Sequence, residues 1–396
     1  MSSSVFIYGY KRAPFNKLND YLSRIHPGAA LSLLVNNYFH NIKDFSLDDV
    51  THLLFANAND ISIGKNFTDR FAQELKLDRS KVQAFRFDQE HMSVFKSLQL
   101  ISGLEALNFS LITAYENLTS VPDYIRNSFI QERPETPPED KHEVIKGLLN
   151  AFTYIDEHQV DIWSIIQTAV TAHGITKDDC DKFAFTSRYK YIESFNKDWF
   201  KNEILPVSFE KEKPSINFEL DLLATSYYSK EEYLTALALS ETAPLCTRLN
   251  VATPADGSAM LLASSQLIKG KKATLEVVDF DLDYGDPSEF ISLGIESMKR
   301  ICKKNKVKVS KLDFYEFHES HPGIILAQAK ELKIPEKRIN IRGGSIAMGD
   351  PISVTGARLI ASACSLIDGS KEFNIGLINI SSPFGAVGTL LVKRPD

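Results

Sequence analysis

Three turns of this sequence gather side chains able to act as an acid, a base or a nucleophile. In the first turn, His91 and Ser93 stand at the start of a helical pattern. In the second, "YEFHESHPG", His318 and His321 directly follow a strand pattern, and in the third, "IRGGSIAMGDPISVTGARL", glycines surround the single acid Asp350. A helix N-terminus disfavours a cation, so we expect His91 to stay neutral and able to accept a proton. The three turns together predict acid–base or nucleophilic chemistry.

A fourth and weaker candidate is the turn "NISSPFGAVG", in which Ser381 and Ser382 follow the last strand pattern. A single histidine or serine at a strand end is more often a hydrogen-bonded structural residue than a catalyst, so function depends on whether the turns converge. His318 and His321 also have the spacing of metal ligands, but Pro322 follows at once and the sequence offers no obvious third ligand. We therefore expect no metal site.

The elements that must position these turns are alternating strands and helices. Short β-rich runs alternate with helical patterns up to residue 115 and resume after residue 257, which predicts β-α units and a largely parallel sheet. Residues 121–207 are polar, then Pro-rich and then helical, which predicts an inserted helical lobe. His91 and Asp350 each precede an amphipathic helical pattern, a loose internal repeat that favours two similar halves. Loops that converge at strand ends are the usual place for a site in such folds.

The bulk composition is that of an ordinary globular protein. With 396 residues, 43% of them apolar, the chain is long enough for two or three domains. The net charge of −6 argues against nucleic acid as a partner, and no apolar run reaches the length of a membrane span. Four widely separated cysteines fit reduced thiols, so we expect a cytoplasmic protein. The densest basic run, residues 299–311, fits either a solvated helix face or a contact to phosphate or CoA.

Several long motifs, in the right order and at the right spacing, resemble those of the thiolases. "KRAPF" resembles their R-T-P-F, "AYENLTSVP" resembles G-G-V-E-x-M-S-x-V-P, and "RLNVATPADGSAMLL" resembles G-N-A-S-x-x-x-D-G-A-A-A. Later in the chain, "FYEFHESHPGIILAQ" resembles F-E-F-H-E-A-F-x-G-Q-I-L-A, and "GGSIAMGDPISVTGARL" resembles the family's turn around G-H-P. The resemblance covers nearly the whole chain and is greatest to the β-subunit type of 3-ketoacyl-CoA thiolase found in trifunctional fatty-acid oxidation complexes.

The resemblance implies an α/β fold, the thiolase fold, with two pseudo-symmetric α-β-α-β-α halves and an inserted helical loop domain. It places residues 1–120 and 208–270 in the N-terminal half, 121–207 in the loop domain and 271–396 in the C-terminal half. Thiolases cleave or form the carbon–carbon bond of 3-ketoacyl-CoA, which implies an acyl-CoA or acyl carrier protein thioester as substrate and no tightly bound cofactor. It also implies a homodimer, or a heteromer with another thiolase-like or fatty-acid-metabolism subunit.

The resemblance also assigns positions to the candidate residues. His91 falls where thiolases carry the nucleophilic cysteine, and Ser93 matches a serine two residues later. Asp350 falls on the histidine of G-H-P that activates this cysteine, and Ser381 falls on a second catalytic cysteine. His318 alone keeps its family identity, that of a histidine whose ring N–H holds the thioester oxygen.

Other matched positions concern the binding of the thioester. Pro383 stands where the family has a glycine whose N–H helps form an oxyanion hole, and proline has no N–H. Loss of one such donor costs about 3 kcal/mol of transition-state stabilisation. His321 replaces a family phenylalanine. Gly343, Gly344 and Asn250 are kept, and we expect them to help bind the thioester.

Because four of the five working positions differ from the family, we do not expect ordinary thiolysis through a cysteine acyl-enzyme. Two hypotheses remain open. The one we favour is a repurposed acyltransferase, in which histidines and Asp350 form a new base or nucleophile set for acyl transfer, hydrolysis or decarboxylation. The other is a non-catalytic thiolase-like partner subunit or a CoA-binding pseudoenzyme.

Overall fold

The structure of the protein, a computed structural model, describes residues 4–18, 27–58, 63, 66–104, 109–120, 162–209, 216–226 and 228–396. The strands in chain order are β1 (Val5–Arg12), β2 (Asn16–Lys17), β3 (Val50–Ala56), β4 (Gln83–Phe87), β5 (Phe109–Glu116), β6 (Val207–Phe209), β7 (Ile216–Phe218), β8 (Ala255–Ser264), β9 (Leu275–Tyr284), β10 (Phe314–Phe317), β11 (Ile375–Ser381) and β12 (Ala386–Lys393). The helices are α1 (Pro27–Asn41), α2 (Phe67–Glu74), α3 (Ser93–Ser102), α4 (Ile162–Ala172), α5 (Lys177–Asn196), α6 (Lys230–Thr235), α7 (Phe290–Lys304), α8 (Pro322–Leu332), α9 (Ser345–Met348) and α10 (Thr355–Gly369).

One mixed sheet runs through the molecule, with its strands in the order β10-β11-β12-β9-β1-β8-β5-β3-β4 and β2 paired to β8. β10 is parallel to β11, and β3 is parallel to β4 and β5. The pairs from β11 across to β5 are all antiparallel. The prediction of a largely parallel sheet is therefore wrong. One physical reason is that β11 and β12 are joined by the short turn at residues 382–385, and such a connection joins antiparallel strands.

The two ends of this sheet have the same topology. The first half contains β4-β3-β5-β8-β1, and the second half repeats that order and direction as β10-β11-β12-β9. The partner expected beyond β10 is reduced to a parallel bridge between Tyr315 and Ile339, in the place that β4 takes beside β3. β1 is the last strand of the first half and β9 is the last strand of the second half. They pair with each other through residues 5–7 and 275–277 and so join the two halves into one sheet. The expectation of two pseudo-symmetric α/β halves is confirmed.

Each half also carries an equivalent buried helix. α3 follows β4, α10 follows the bridge at Ile339, and a 3-10 turn precedes each of these helices. A Cβ on Gly356 would lie 3.1 Å from the Val94 side chain and 3.3 Å from the carbonyl oxygen of His91, so glycine here lets α10 approach α3 closely. As a result, the 3-10 turns Glu90–Met92 and Ile352–Val354 contact each other.

The predicted helical lobe contains α4 and α5, while residues 121–161 of that segment lie outside the described residues. α5 begins after Thr176, whose side chain accepts a hydrogen bond from the N–H of Asp179 in a capping box. Beyond α5, the fully buried guanidinium of Arg12 forms ion pairs with Glu203 at 2.6 Å and Asp221 at 2.7 Å. These contacts tie β1 to the segments that follow α5.

The basic run 299–311 lies on α7 and the residues after it. Lys299, Arg300 and Lys304 each form an ion pair with a nearby carboxylate. This arrangement favours the interpretation of the run as a solvated helix face. Among the described residues, no helix combines the length and apolar character needed to cross a membrane.

Candidate functional site

His91 lies in the 3-10 turn Glu90–Met92, which leads directly into α3. Glu90 has a φ of 47°, a left-handed conformation that is uncommon outside glycine, so the chain turns sharply just before His91. The N–H of Met92 donates to the carbonyl of Gln89 at 2.9 Å and closes the turn. Only 11% of the His91 side chain is exposed. The turn therefore presents a nearly buried imidazole at the N-terminal end of α3.

Asp350 lies two residues before the equivalent 3-10 turn, Ile352–Val354, and its backbone is fixed on both sides. Its N–H donates to the carbonyl of Thr253 at 2.8 Å, and its carbonyl accepts from the N–H of Ala255 at 3.2 Å. The hydroxyl of Thr355, in the first turn of α10, donates to Asp350 Oδ1 at 2.6 Å. Gly349 has a φ of 106°, which permits the bend just before the acid. One carboxylate oxygen is thus held by α10, and the other, Oδ2, is directed elsewhere.

Asp350 Oδ2 is shared by two histidines. It lies 3.0 Å from Nε2 of His91 and 2.9 Å from Nε2 of His318, which directly follows β10. The two imidazole rings are tilted by 35°, with their centres 4.4 Å apart. Neither Nδ1 has a hydrogen-bond partner among the described residues, so Nε2 is the ring nitrogen that each histidine commits to the site. The structure therefore brings together three of the residues singled out from the sequence, one from each of the three turns.

The charges of this triad are set by competition between burial and proximity. Burial acts to raise the pKa of Asp350, but the adjacent His91 and His318 outweigh it and hold that pKa well below its ordinary value. Burial acts to lower the pKa of His91, but the Asp350 carboxylate outweighs it and raises that pKa. For His318 burial prevails, and its pKa is lowered. The pKa of His91 thus shifts in the direction opposite to the one expected from the helix N-terminus, because a carboxylate at hydrogen-bond distance acts more strongly.

A cavity of about 100 Å³ adjoins the triad, and His91, His318 and Asp350 all line it. Its remaining walls are mostly apolar and include side chains from α4 and from the turn after β11. The principal apolar residues are Leu118, Ile162, Trp163, Ile166, Ile352 and Phe384. Pro383 lies in the same wall, so that wall lacks the N–H donor that any other residue would offer there. The lining is thus mostly apolar, and its polar members are the triad, Ser382, Ser320 and Glu90.

Two other predicted catalytic residues, Ser93 and His321, make structural contacts instead. The hydroxyl of Ser93 donates to the carbonyl of Glu90 at 2.8 Å, within its own turn. Nδ1 of His321 accepts the N–H of Gly323 at 3.1 Å and so caps α8. Burial lowers the pKa of His321 to about 4, which keeps its ring neutral for this role. Neither of these side chains lines the cavity.

Ser381 also points away from the cavity. Its hydroxyl accepts a hydrogen bond from Gln328 at 2.8 Å and donates to Asn379 at 2.9 Å. The next residue, Ser382, lines the cavity. Because successive side chains of an extended strand point to opposite sides, the adjacent serine is the one that faces the site.

The predicted thioester-binding glycines contact protein atoms. A Cβ on Gly344 would lie 2.4 Å from the carboxyl carbon of Glu319, and one on Gly343 would lie 2.5 Å from the carbonyl oxygen of Ser187 in α5. Asn250 bonds to its own loop and donates to Asp181 of α5 at 2.8 Å. These residues pack α5 against the halves, and none of them lines the cavity.

Sequence reasoning missed Thr355 and the contribution of α4. Thr355 stands five residues after Asp350, in the same motif, and a hydroxyl in the first turn of a helix is well placed to hold a preceding carboxylate. The α4 residues Ile162, Trp163 and Ile166 are spaced as one face of a helix, which marks a buried surface but not what it covers. Only the folded chain shows that this face closes the pocket.

The fold and site together define an α/β protein of two equivalent halves, whose buried helices begin at one shared pocket. The chain matches the sequence model described as "Thiolase, N-terminal domain" over residues 5–266 and the one described as "Thiolase, C-terminal domain" over residues 271–394. These two matches account for more than half of the chain. The chain therefore belongs to the thiolase family.

Known proteins agree with this assignment. A probable acetyl-CoA acyltransferase of Staphylococcus aureus (strain N315) is 26% identical over 372 residues, which cover 90% of this chain and 91% of the relative. The crystal structure of the Acat5 thiolase from Ascaris suum in complex with coenzyme A superposes with a TM-score of 0.81 at 18% identity, covering 99% of this chain and 100% of that one. Human mitochondrial 3-ketoacyl-CoA thiolase gives a TM-score of 0.85 at 18% identity, covering 99% of each chain.

Proposed function

We propose that this thiolase-family protein binds an acyl thioester and performs acyltransferase-type chemistry through His91, His318 and Asp350. The observation that carries the proposal is one carboxylate oxygen shared by two imidazoles in the lining of a mostly apolar pocket. A relative named probable acetyl-CoA acyltransferase, and a thiolase neighbour solved with coenzyme A, support a CoA thioester as the ligand. An acyl carrier protein thioester presents the same reactive group.

The roles follow from the charges of the triad. The acyl acceptor adds to the thioester carbon while the His91 ring takes its proton, and the raised pKa of His91 favours the imidazolium that results. This imidazolium then donates the proton to the sulfur as the C–S bond of the tetrahedral intermediate breaks and CoA leaves as the free thiol. Asp350 orients the ring and stabilises its cation, as a carboxylate does in a catalytic triad. His318, whose pKa is lowered by burial, offers its ring N–H to the acyl oxygen when the substrate competes with Asp350. None of the four cysteines, all of which the structure describes, lines the pocket, so the reaction proposed has no cysteine acyl-enzyme.

The test is the release of free CoA from a series of acyl-CoA thioesters, followed by liquid chromatography and mass spectrometry. We expect turnover by the wild type and a loss of about 100-fold or more in His91→Gln and in His318→Gln, the scale of general acid–base catalysis. His40→Gln is the matched control, because His40 is exposed on α1. Equal turnover in all four proteins would contradict the assignment of the site, and failure to bind any acyl thioester would contradict the function.

A second candidate is a non-catalytic thiolase-like partner or CoA-binding pseudoenzyme. The observation that favours it is the position of Asp350, whose carboxylate already occupies the His318 N–H that a thioester oxygen needs. Pro383, which also lines the pocket, supplies no N–H donor in its place. Binding of acyl-CoA without release of free CoA, together with co-purification of an active thiolase, would favour this candidate over the first.

Several further features belong to the same proposal. We place the halves at residues 1–120 with 208–270 and at 271–396, with a loop domain at 121–207; the two domain matches, which meet near residue 270, support the second boundary. We also propose kinship with the β-subunit type of trifunctional complexes, a degenerate family site, a cytoplasmic location, and a homodimer or heteromer with another thiolase-like subunit.

A further inference from the structure

Three metal-ligating atoms converge at the end of the pocket. Nε2 of His91, Nε2 of His318 and a carboxylate oxygen of Asp350 all lie within 4.8 Å of one another. We propose that these residues bind one divalent transition-metal ion, as a site of two histidines and one carboxylate. The sequence led to the opposite expectation because it paired His318 with His321, whose ring instead caps α8. The ligands of the proposed site come from three turns that are far apart in the sequence, so no short sequence motif predicts the site.

Two of the three distances between the ligand atoms match one face of a coordination sphere. Ligand atoms that bind an ion at about 2.1 Å and at right angles lie about 3.0 Å from each other. Asp350 Oδ2 lies 3.0 Å and 2.9 Å from the two imidazole nitrogens. Two imidazoles bound in this way have their ring centres about 4.5 Å apart, and the observed separation is 4.4 Å. Two edges of such a face are therefore present, and the third, between the two imidazole nitrogens, lies within 4.8 Å.

The carboxylate is held in place by contacts that an ion would not disturb. Thr355 binds the other oxygen, Oδ1, at 2.6 Å, and the backbone of Asp350 is fixed by Thr253 and Ala255. The backbone of His318 is also fixed, since its backbone N–H donates to the carbonyl of Asn379 at 2.9 Å. Such outer contacts are what orient ligands around metals in proteins. Oδ2 and the two Nε2 atoms remain the groups that face the pocket.

The chemistry of the donors selects the class of ion. Imidazole nitrogen with one carboxylate suits zinc, iron, cobalt or nickel, whereas magnesium and calcium prefer oxygen ligands alone. The ion replaces the proton that otherwise lies between His91 and Asp350, and this proton leaves to solvent. With three ligands on one face, the remaining coordination positions point into the cavity that His91, His318 and Asp350 line.

This inference rests on the proposed function in sharing its site, and a bound ion would act there as a Lewis acid toward the thioester oxygen. It does not depend on turnover, because binding of the ion alone can be measured. The two proposals can therefore fail separately. An enzyme that turns over acyl-CoA in the presence of EDTA, and binds no metal, keeps the proposed function and loses the metal site.

The experiment uses the purified full chain, stripped of metal by dialysis against EDTA and titrated with Co²⁺ or Zn²⁺ alone. The visible absorption of Co²⁺ reports coordination by nitrogen and oxygen ligands, and elemental analysis after equilibrium dialysis gives the stoichiometry. We expect one ion per chain in the wild type and in His40→Gln. Affinity falls at least about 100-fold in Asp350→Asn and His318→Gln, and about 10-fold in Thr355→Val, which removes only an outer contact.

Folding of the variants is checked in metal-free buffer by circular dichroism, and binding is measured a second way as the rise in melting temperature caused by Zn²⁺. A rise in the wild type and in His40→Gln that is absent from Asp350→Asn supports the site. Less than about a tenth of an ion per chain in the wild type, or unchanged affinity in folded Asp350→Asn, would overturn it, since ligand removal weakens a true site by far more.

Discussion

Replacement of Asp350 with asparagine tests the charge arrangement at the site most directly. The carboxylate accepts hydrogen bonds from His91 at 3.0 Å, His318 at 2.9 Å and Thr355 at 2.6 Å. Asparagine has nearly the same shape, but its single oxygen and its NH2 group cannot serve all three donors. Hydrogen bonds to an ionised group contribute about 1.5–3 kcal/mol each. If each of the two imidazole hydrogen bonds falls from about 3 to about 1.5 kcal/mol, Asp350→Asn loses about 3 kcal/mol of unfolding free energy.

The size of this loss depends on pH in a direction set by two pKa shifts. The pKa of Asp350 is lowered in the folded state, so its contribution is present above the ordinary value of 3.8 and disappears as the pH falls through the folded-state pKa. The pKa of His91 is raised, so its contribution is complete below the ordinary value of 6.5 and disappears as the pH rises through the folded-state pKa. The difference between wild type and Asp350→Asn is therefore largest between pH 3.8 and 6.5.

The assay is urea unfolding, followed by circular dichroism, at a series of pH values from acid to alkaline. Asp48→Asn serves as the control, because Asp48 is exposed. Histidine NMR of the same samples reports whether the pKa of His91 falls when the carboxylate is lost, as burial alone requires. A stability difference that does not change with pH, or that equals the effect of Asp48→Asn, would refute the charge assignment.

Three further predictions concern the surroundings of the site. The pKa of His321 is lowered to about 4, so the wild type loses about 3 kcal/mol of unfolding free energy as the pH falls from 6.5 toward 4. His321→Asn keeps a side-chain acceptor for the helix cap, so its unfolding free energy, measured with urea, should depend less on pH over this range. An unchanged pH dependence would contradict the assignment. Gly344→Ala places a methyl group against the Glu319 carboxylate and should lower the unfolding free energy, measured with urea, by about 1–3 kcal/mol. Gly103→Ala, whose added Cβ would have its nearest neighbour at 3.5 Å, is the control and should lower it less. Equal losses in the two variants would contradict the packing. All four cysteines are buried, so Ellman's reagent should label none of them in the native protein and four in denaturant, and rapid native labelling would contradict the packing.

The convergence of the triad could be predicted because it depends on backbone motifs. The turns that carry His91, His318 and Asp350 each lie at the end of a strand or the start of a helix, and their order in the chain identifies the fold. Once the fold is known, residues at equivalent turns of the two halves must meet where α3 and α10 cross. The protonation of His91 did not follow from its own helix, because the charge that decides it comes from 259 residues away.

Two other sequence-based assignments were wrong for physical reasons: one depends on the alternation of side chains along a strand, and the other on which segment packs against the glycines. A strand presents adjacent residues to opposite sides, so an uncertainty of one position exchanged Ser381 for Ser382 as the residue at the pocket. The glycines Gly343 and Gly344 show that the chain needs room, but the sequence does not say for what. The structure shows that the room is taken by Glu319 and by α5. The glycines thus predict that a side chain would not fit at these positions, but only the structure shows which atoms exclude it.

The electrostatics of the pocket make His91 and Asp350 dependent on each other. A carboxylate beside a thiol would raise the pKa of that thiol and suppress the thiolate, so Asp350 is a poor neighbour for a cysteine nucleophile. A third imidazole in its place would leave His91 and His318 without an anion and favour three neutral rings. With Asp350 present, the pKa of His91 is raised and that of His318 is lowered, which favours a proton donor and an uncharged N–H within one pocket. The same carboxylate that is unsuited to cysteine chemistry is the group that binds a second cation, whether this is the proton on His91 or a metal ion in its place.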